Sequence, residues 1–274
     1  MSPELEAYNR DGYVVARNLV PQASVDTVNQ SLLRVVQAQL RQLGVKEDSR
    51  DLFSALQALF SRDLDRYKKV VGALWRHESV FALMHSAPIV DFLRQKFGWT
   101  DLFLPGGQVI LIMARELKIP DGYFGLIPHQ DFPSVQGSLD GVVVWLPLTN
   151  VDRTNYPMEI IPGSHQKGLL RMINRGSSTW EVDPDEYRPE DFMPVEVNMG
   201  DVVFMSLFTI HRSSLEGLPK KLRVAISTRF DNGGEATFIE RAYPTAYVRS
   251  VHREQFLPDF PTKAQIDRVF GRSR

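Results

Sequence analysis

Six histidines, His77, His85, His129, His165, His211 and His252, are the side chains of this sequence best suited to metal or proton chemistry. One of them lies next but one to a carboxylate, in His129-Gln130-Asp131. In an extended segment residues i and i+2 project to the same face, so this tripeptide offers a nitrogen and an oxygen donor side by side. A third donor has to come from a facing strand. His211 follows the apolar run Val202–Ile210 and precedes Arg212-Ser213-Ser214, a strand end where a barrel mouth presents side chains. It lies eighty residues after Asp131, room for several strands between them. Two imidazoles and one carboxylate on one face of an octahedron leave three positions open, the arrangement of non-haem Fe(II) oxygenases. Zinc held by the same three residues and a water is the competing metal.

Arg223 stands twelve residues after His211, at the start of the run Leu222–Phe230. An iron site that uses a 2-oxo acid needs a guanidinium deep in the barrel, because its planar fork binds a carboxylate bidentately and a Lys does so less well. Arg229 is the rival. It is six residues further on, so strand parity puts both on one face. Spacing favours Arg223.

These residues need a scaffold of strands. After Gly98 the sequence supplies one in short apolar or alternating runs: Val109–Met113, Val142–Leu146, Glu159–Ile161, Val195–Val197, Val202–Phe208 and Leu222–Phe230. Gly, Pro, Asn and Asp punctuate them, as in Pro105-Gly106-Gly107, Pro162-Gly163 and Gly200-Asp201. Many short strands between turns indicate a sandwich or jelly roll rather than a doubly wound sheet. The first hundred residues read mainly as helix after a short strand at Tyr13–Arg17. Val25, Val28, Leu32, Leu33, Val36 and Leu40 recur at helical spacing between Pro21 and Leu43, with Gly44 as a stop. Further helices are expected at Leu52–Phe60, Leu64–Trp75, Val80–His85 and Ile89–Phe97, with Pro88 separating the last two. The polar stretch Trp180–Asp191 reads as a surface loop between strands, with a lid as the alternative.

Composition excludes other classes. The 274 residues are 43% hydrophobic and 24% charged, a globular balance. With 32 Lys and Arg against 33 Asp and Glu, the net charge of −1 argues against a nucleic-acid binder. There is no cysteine, so thiol catalysis, disulfides, iron–sulfur clusters and Cys-ligated zinc are ruled out. No apolar run approaches a membrane span, and the start Met1-Ser2-Pro3-Glu4 is polar and acidic, so a cytoplasmic protein is expected. No phosphate-binding glycine loop or nucleophile elbow is present. Arg62, Arg66, Lys68 and Lys69 read as a solvated helix face laced by Asp63 and Asp65, with an anion site as the alternative.

At this point the chain resembles the phytanoyl-CoA dioxygenase-like branch of the Fe(II)/2-oxoglutarate oxygenases. The resemblance is carried by Tyr8–Val15, His129-Gln130-Asp131, Ile160-Ile161-Pro162-Gly163-Ser164-His165, Gly200-Asp201, His211-Arg212-Ser213 and Arg223-Val224-Ala225-Ile226-Ser227. It implies a mainly β fold with N-terminal helices, a double-stranded β-helix (jelly roll, cupin-like). Residues 1–274 would form a single oxygenase domain, 1–100 mostly helical packing and 101–274 the jelly-roll core. It implies His129, Asp131 and His211 as iron ligands and Arg223 on the distal carboxylate of 2-oxoglutarate, assisted by Ser213. Trp145 matches a position that lines the cosubstrate pocket, and His165 is a hydrogen-bonded loop residue. The implied cofactors are Fe(II), 2-oxoglutarate and O2. The implied activity is hydroxylation of an unactivated C–H of a small molecule, with release of succinate and CO2. Related halogenases carry Gly or Ala where Asp131 stands, so halogenation is not expected. The family often has Asn-Gly where this chain has Asn155-Tyr156, so that turn must differ. A zinc hydrolase or isomerase on the same fold, and a catalytically silent binding module, are the alternatives. Substrate identity and oligomeric state are not legible.

Overall fold

The computed structural model describes residues 2–45, 51–120, 122, 124–173, 181–247 and 261–270. The chain begins with α1 (Pro3–Asp11), β1 (Tyr13–Ala16), α2 (Gln22–Gln42), α3 (Leu52–Arg62), α4 (Leu64–Leu74), α5 (Glu78–Met84) and α6 (Ala87–Phe97). Strands follow: β2 (Leu102–Phe103), β3 (Val109–Met113), then the short helix α7 (Phe132–Val135), β4 (Val142–Pro147), β5 (Met158–Ile160), β6 (Met172–Ile173), β7 (Glu181–Val182), β8 (Met193–Val195), β9 (Val202–Ser206), β10 (His211–Ser213) and β11 (Arg223–Asn232). The helices α8 (Ala236–Glu240) and α9 (Lys263–Phe270) come last.

Two antiparallel sheets make the jelly roll. The larger runs β1-β9-β4-β11, and the long strand β11 continues the sheet by pairing β3 and then β2 along its other edge. The smaller sheet is β10-β5-β8. β4 and β9 are buried at every residue, which explains why they read as continuous apolar runs rather than alternating ones. Their side chains still part by parity. Val142, Val144, Leu146, Phe204 and Ile226 join the helices in one apolar cluster. Val143, Trp145, Val203, Met205 and Ala225 join Met158 and Ile160 of the smaller sheet in another.

The helices form as their patterns dictate. α2 buries Val25, Val28, Leu32, Val36 and Leu40 along one stripe. Asp51 and Asp63 cap α3 and α4 by accepting the backbone N–H groups of Ser54 and Arg66, worth about 1 kcal/mol each. Arg66 and Lys69 pair with Asp63 and Asp65, as expected of a solvated face.

Several elements differ from the sequence reading. α1 is additional: Ser2 caps it and Pro3 enters its first turn, but Tyr8 is its one buried residue, too little for a periodic signal. Pro88 lies in the first turn of α6 rather than between helices, the position where its missing N–H is harmless. The edge strand β8 starts two residues earlier than expected, at Met193, and Val197 makes an isolated bridge to Val151. Trp180 lies outside the described residues. The remainder of that expected loop holds β7, which pairs β6, and two short 3-10 turns, at Pro184–Glu186 and Pro189–Asp191.

Candidate active site

His129, Asp131 and His211 come together. Their donor atoms all lie within 4.8 Å of one another, the one such group of histidines and acids among the described residues. The two histidine backbones exchange hydrogen bonds, His129 N–H to the His211 carbonyl (3.0 Å) and the reverse (3.1 Å). Asp131 Oδ1 is 3.8 Å from His129 Nε2, and Oδ2 is 3.9 Å from His211 Nε2. All three are buried, 3%, 4% and 5% exposed for His129, Asp131 and His211.

The local route differs from the extended one expected. Asp131 has helical backbone angles (φ −81°, ψ −22°) and opens α7, so the carboxylate meets His129 through a turn, not along a strand face. Gln130 makes that turn rigid. It is buried, donates to the Gly168 and Phe208 carbonyls, and accepts the Leu170 N–H. His211 is held from the other side. Ser164 of the Pro-Gly-Ser-His loop donates to the Ile161 carbonyl and accepts the Ile210 N–H, joining the end of β5 to the start of β10. His165 lies outside the triad and contacts the Asn9 carbonyl of α1. Gly12 (φ +79°) lets α1 approach, since a Cβ there would come within 2.5 Å of His165 and 2.6 Å of Thr209.

The electrostatics favour neutral imidazoles beside an ionised carboxylate. The Nδ1 atoms of His129 and His211 face the Ile127 and Thr209 carbonyls at 2.7 and 3.0 Å. A carbonyl only accepts, so Nδ1 carries the proton and Nε2 keeps its lone pair. Burial lowers the pKa of both rings, that of His211 to about 3, where the neighbouring His129 adds to the effect. Burial alone would raise the Asp131 carboxyl. The Arg229 guanidinium, the largest opposing influence, outweighs it and holds the group well below the usual carboxylate range. Arg229 Nη2 donates to both Asp131 oxygens at 3.0 Å.

Arg223 and Arg229 share the inner face of β11, as parity requires, and part company in what they touch. Arg223 is 1% exposed. Its Nη1 donates to the Tyr156 carbonyl (2.7 Å), and its Nη2 reaches Met113 Sδ (2.7 Å) and Ser213 Oγ (3.3 Å). Tyr156 keeps a left-handed backbone (φ +59°) where glycine is usual. Its buried ring lies against Gly217, where a Cβ would come within 2.2 Å of it, and its hydroxyl accepts the Arg115 N–H. The Asn155-Tyr156 turn thus takes a backbone conformation that glycine favours.

The triad, Arg223, Ser213, Trp145 and Arg229 all line one cavity of about 740 Å3. Its remaining wall is largely apolar, with Val109, Leu111, Leu126, Met158 and Met205 among the lining residues. Sequence reasoning missed Gln130 and Tyr247. Gln130 carried a signal, as a polar residue between two donors. Tyr247 carried none, because distant backbone contacts bring it to the cavity.

The phytanoyl-CoA dioxygenase (PhyH) family model matches residues 8–215. The chain belongs to this family. The match takes in the triad and Ser213 and ends before Arg223, Arg229 and Tyr247. Among curated family members, a phytanoyl-CoA dioxygenase of Arabidopsis thaliana is 31% identical over 105 residues. Phytanoyl-CoA dioxygenase 1 of Oryza sativa subsp. japonica is 34% identical over 111 residues. Each alignment spans 37% of this chain and 37% of the relative. Solved structures share the fold of this PhyH member. The non-heme monooxygenase ThoJ, as its Ni complex, superposes with a TM-score of 0.54 at 18% identity, covering 96% of this chain and 91% of its own. Apo EctD from S. alaskensis gives 0.54 at 14% identity, covering 86% and 78%. Among the described residues no helix is long and apolar enough to cross a membrane.

Proposed function

We propose that residues 1–274 form one Fe(II)- and 2-oxoglutarate-dependent oxygenase domain that hydroxylates an unactivated C–H of a small molecule, consuming O2 and releasing succinate and CO2. Membership of the PhyH family supports the cofactors. The observation that carries the reading is the buried His129, Asp131 and His211 group opening on the cavity that also holds Arg223. The donor set fits a divalent iron: two neutral Nε2 atoms and one anionic carboxylate, with open positions toward the cavity. Iron bound there supplies the redox chemistry that couples decarboxylation of 2-oxoglutarate to oxidation of the substrate.

The chain's own residues do the positioning. The carbonyls of Ile127 and Thr209 orient the two imidazoles, the kind of outer contact that fixes metal-binding histidines. Arg229 keeps Asp131 charged and aimed at both rings. Arg223 and Ser213 hold the distal carboxylate of 2-oxoglutarate, and Trp145 flanks it. The apolar wall excludes water from the reacting C–H. Asp131 occupies the position that a halide would need, which favours hydroxylation over halogenation. Two solved relatives bind matching groups: ThoJ in a nickel complex, and EctD with 2-oxoglutarate and 5-hydroxyectoine.

The experiment is succinate formation by metal-free protein given Fe(II), 2-oxoglutarate and O2. Turnover that requires iron and is not restored by zinc is expected. Zinc-supported hydrolysis without succinate would replace this reading with the hydrolase alternative.

A further inference from the structure

The proposed cofactors leave part of the cavity unused. Arg223 is committed to the cosubstrate, and Arg212 is paired with Glu159 at 2.6 Å and stacked on Phe192. Arg229 is 10% exposed at its side chain and gives Asp131 one nitrogen, Nη2. Its Nε and Nη1 are buried and have no hydrogen-bond partner among the described residues. Buried donors without acceptors are costly, and native proteins normally satisfy them with protein, water or ligand.

A second polar group, the Tyr247 phenol, lines the same cavity. Hydrogen bonds hold the segment that carries it. Ala246 N–H donates to the Val135 carbonyl (2.8 Å), and Thr245 Oγ1 reaches the Pro105 carbonyl (3.3 Å). The Tyr247 ring lies on Gly106, where a Cβ would come within 2.7 Å of it. Arg229 and Tyr247 both lie beyond residues 8–215, which the family model matches.

Charge points the same way. Asp131 is the one carboxylate among the cavity-lining residues. With a divalent metal on the triad and the cosubstrate dianion on Arg223, Arg229 remains as surplus positive charge in a low-dielectric pocket. An ammonium group would find no carboxylate among the cavity-lining residues other than Asp131, which Arg229 already pairs, and would be repelled by Arg229. A carboxylate or other strongly accepting oxygen would find Arg229 and the Tyr247 hydroxyl.

We propose that Arg229 and Tyr247 form the substrate-recognition corner of this cavity, and that the primary substrate is a largely apolar molecule bearing an anionic or strongly accepting oxygen group rather than an amine. The proposal rests on the oxygenase reading above.

The test uses the anaerobic protein loaded with Fe(II) and 2-oxoglutarate, and three probes of one shape: 4-phenylbutyrate, 4-phenylbutyramide and 4-phenylbutylamine. Binding is measured by calorimetry. The visible charge-transfer band of a ferrous 2-oxo acid chelate is recorded first. Its absence counts against the oxygenase reading itself, whatever the probes do. With the band present, the carboxylate is expected to bind about tenfold or more tighter than the amine, with the amide between. Tyr247→Phe should weaken the carboxylate about 3- to 10-fold and leave the amine unchanged. Arg229→Gln should abolish the preference. Tyr247→Phe removes one hydroxyl from an exposed residue and so decides the matter if Arg229→Gln loses its metal. Equal binding of the three probes, preference for the amine, no binding by any of them, or a carboxylate preference intact in Tyr247→Phe would overturn the proposal.

Discussion

The two faces of the larger sheet use the same strands for opposite ends. On the outer face, Val144, Leu146, Phe204 and Ile226 are completely buried against the helices, and the Phe204 ring stacks on Phe92 at 4.3 Å. On the inner face, one residue along in each strand, Trp145, Met205, Arg223, Ser227 and Arg229 border a cavity of about 740 Å3. Alternation of side chains lets one strand support a dense core and an open site at once. The outer face holds the strands in place. The inner face can then carry buried arginines, opposite His211 of β10 and its bridge partner His129, whose desolvation the core has to offset.

If the faces are separable in this way, substitutions on each should have distinct signatures. The largest effect is expected from Phe204→Ala, which removes a fully buried ring and should cost about 3–5 kcal/mol of stability. Denaturant unfolding checks the cost, and 2-oxoglutarate affinity per folded molecule should be unchanged. A large fall in that affinity would show that the faces are coupled.

Arg223→Ala is next, and it acts on the inner face. It should weaken 2-oxoglutarate binding by about 2–5 kcal/mol, roughly 30-fold or more, in calorimetric titrations. Arg223→Lys should recover part, because it restores charge without the planar fork. If Arg229→Ala abolished cosubstrate binding while Arg223→Ala bound normally, the roles of the two arginines would be exchanged.

Asp231 gives the smallest effect and sharpens the boundary. It has inner-face parity on β11 but is not among the cavity-lining residues. Its Oδ1 accepts the Ser138 N–H (2.9 Å) and Oδ2 has no partner among the described residues. Burial raises its carboxyl to about 6, with the Asp140 charge adding and the Ser138 hydrogen bonds opposing. The folded state therefore holds this proton more tightly than the unfolded chain, whose Asp titrates near 4. The group's stabilising contribution is full below about pH 4 and is lost as pH rises to about 6. Asp231→Asn should remove that loss, making the variant more stable than wild type at pH 7 by on the order of 1–3 kcal/mol, a margin that shrinks toward pH 4. Denaturation at a series of pH values measures it.

Much of the site was legible because its signals are local or follow parity. His129-Gln130-Asp131, His211 at a strand end, and two arginines on one face of β11 all follow from residue type and spacing. The less legible features depend on partners far away in sequence. Parity could not separate Arg223 from Arg229; their partners, Ser213 and Asp131, do so in three dimensions. The turn at Asp131 depends on Gln130 finding the Gly168 and Phe208 carbonyls. Tyr156 tolerates a glycine-like backbone through the space above Gly217. In the fold, β8 contains Pro194, which reads as a breaker yet suits an edge strand that pairs on one side with β5.

The central claim is that His129, Asp131 and His211 together hold one iron. Anaerobic calorimetric titration of metal-free protein with Fe(II) tests it most directly, comparing wild type with Asp131→Ala, His211→Ala and Arg223→Ala. The account predicts a single ion per chain in wild type and in Arg223→Ala, and loss of most affinity in the other two. Unchanged stoichiometry and affinity in both Asp131→Ala and His211→Ala would contradict it.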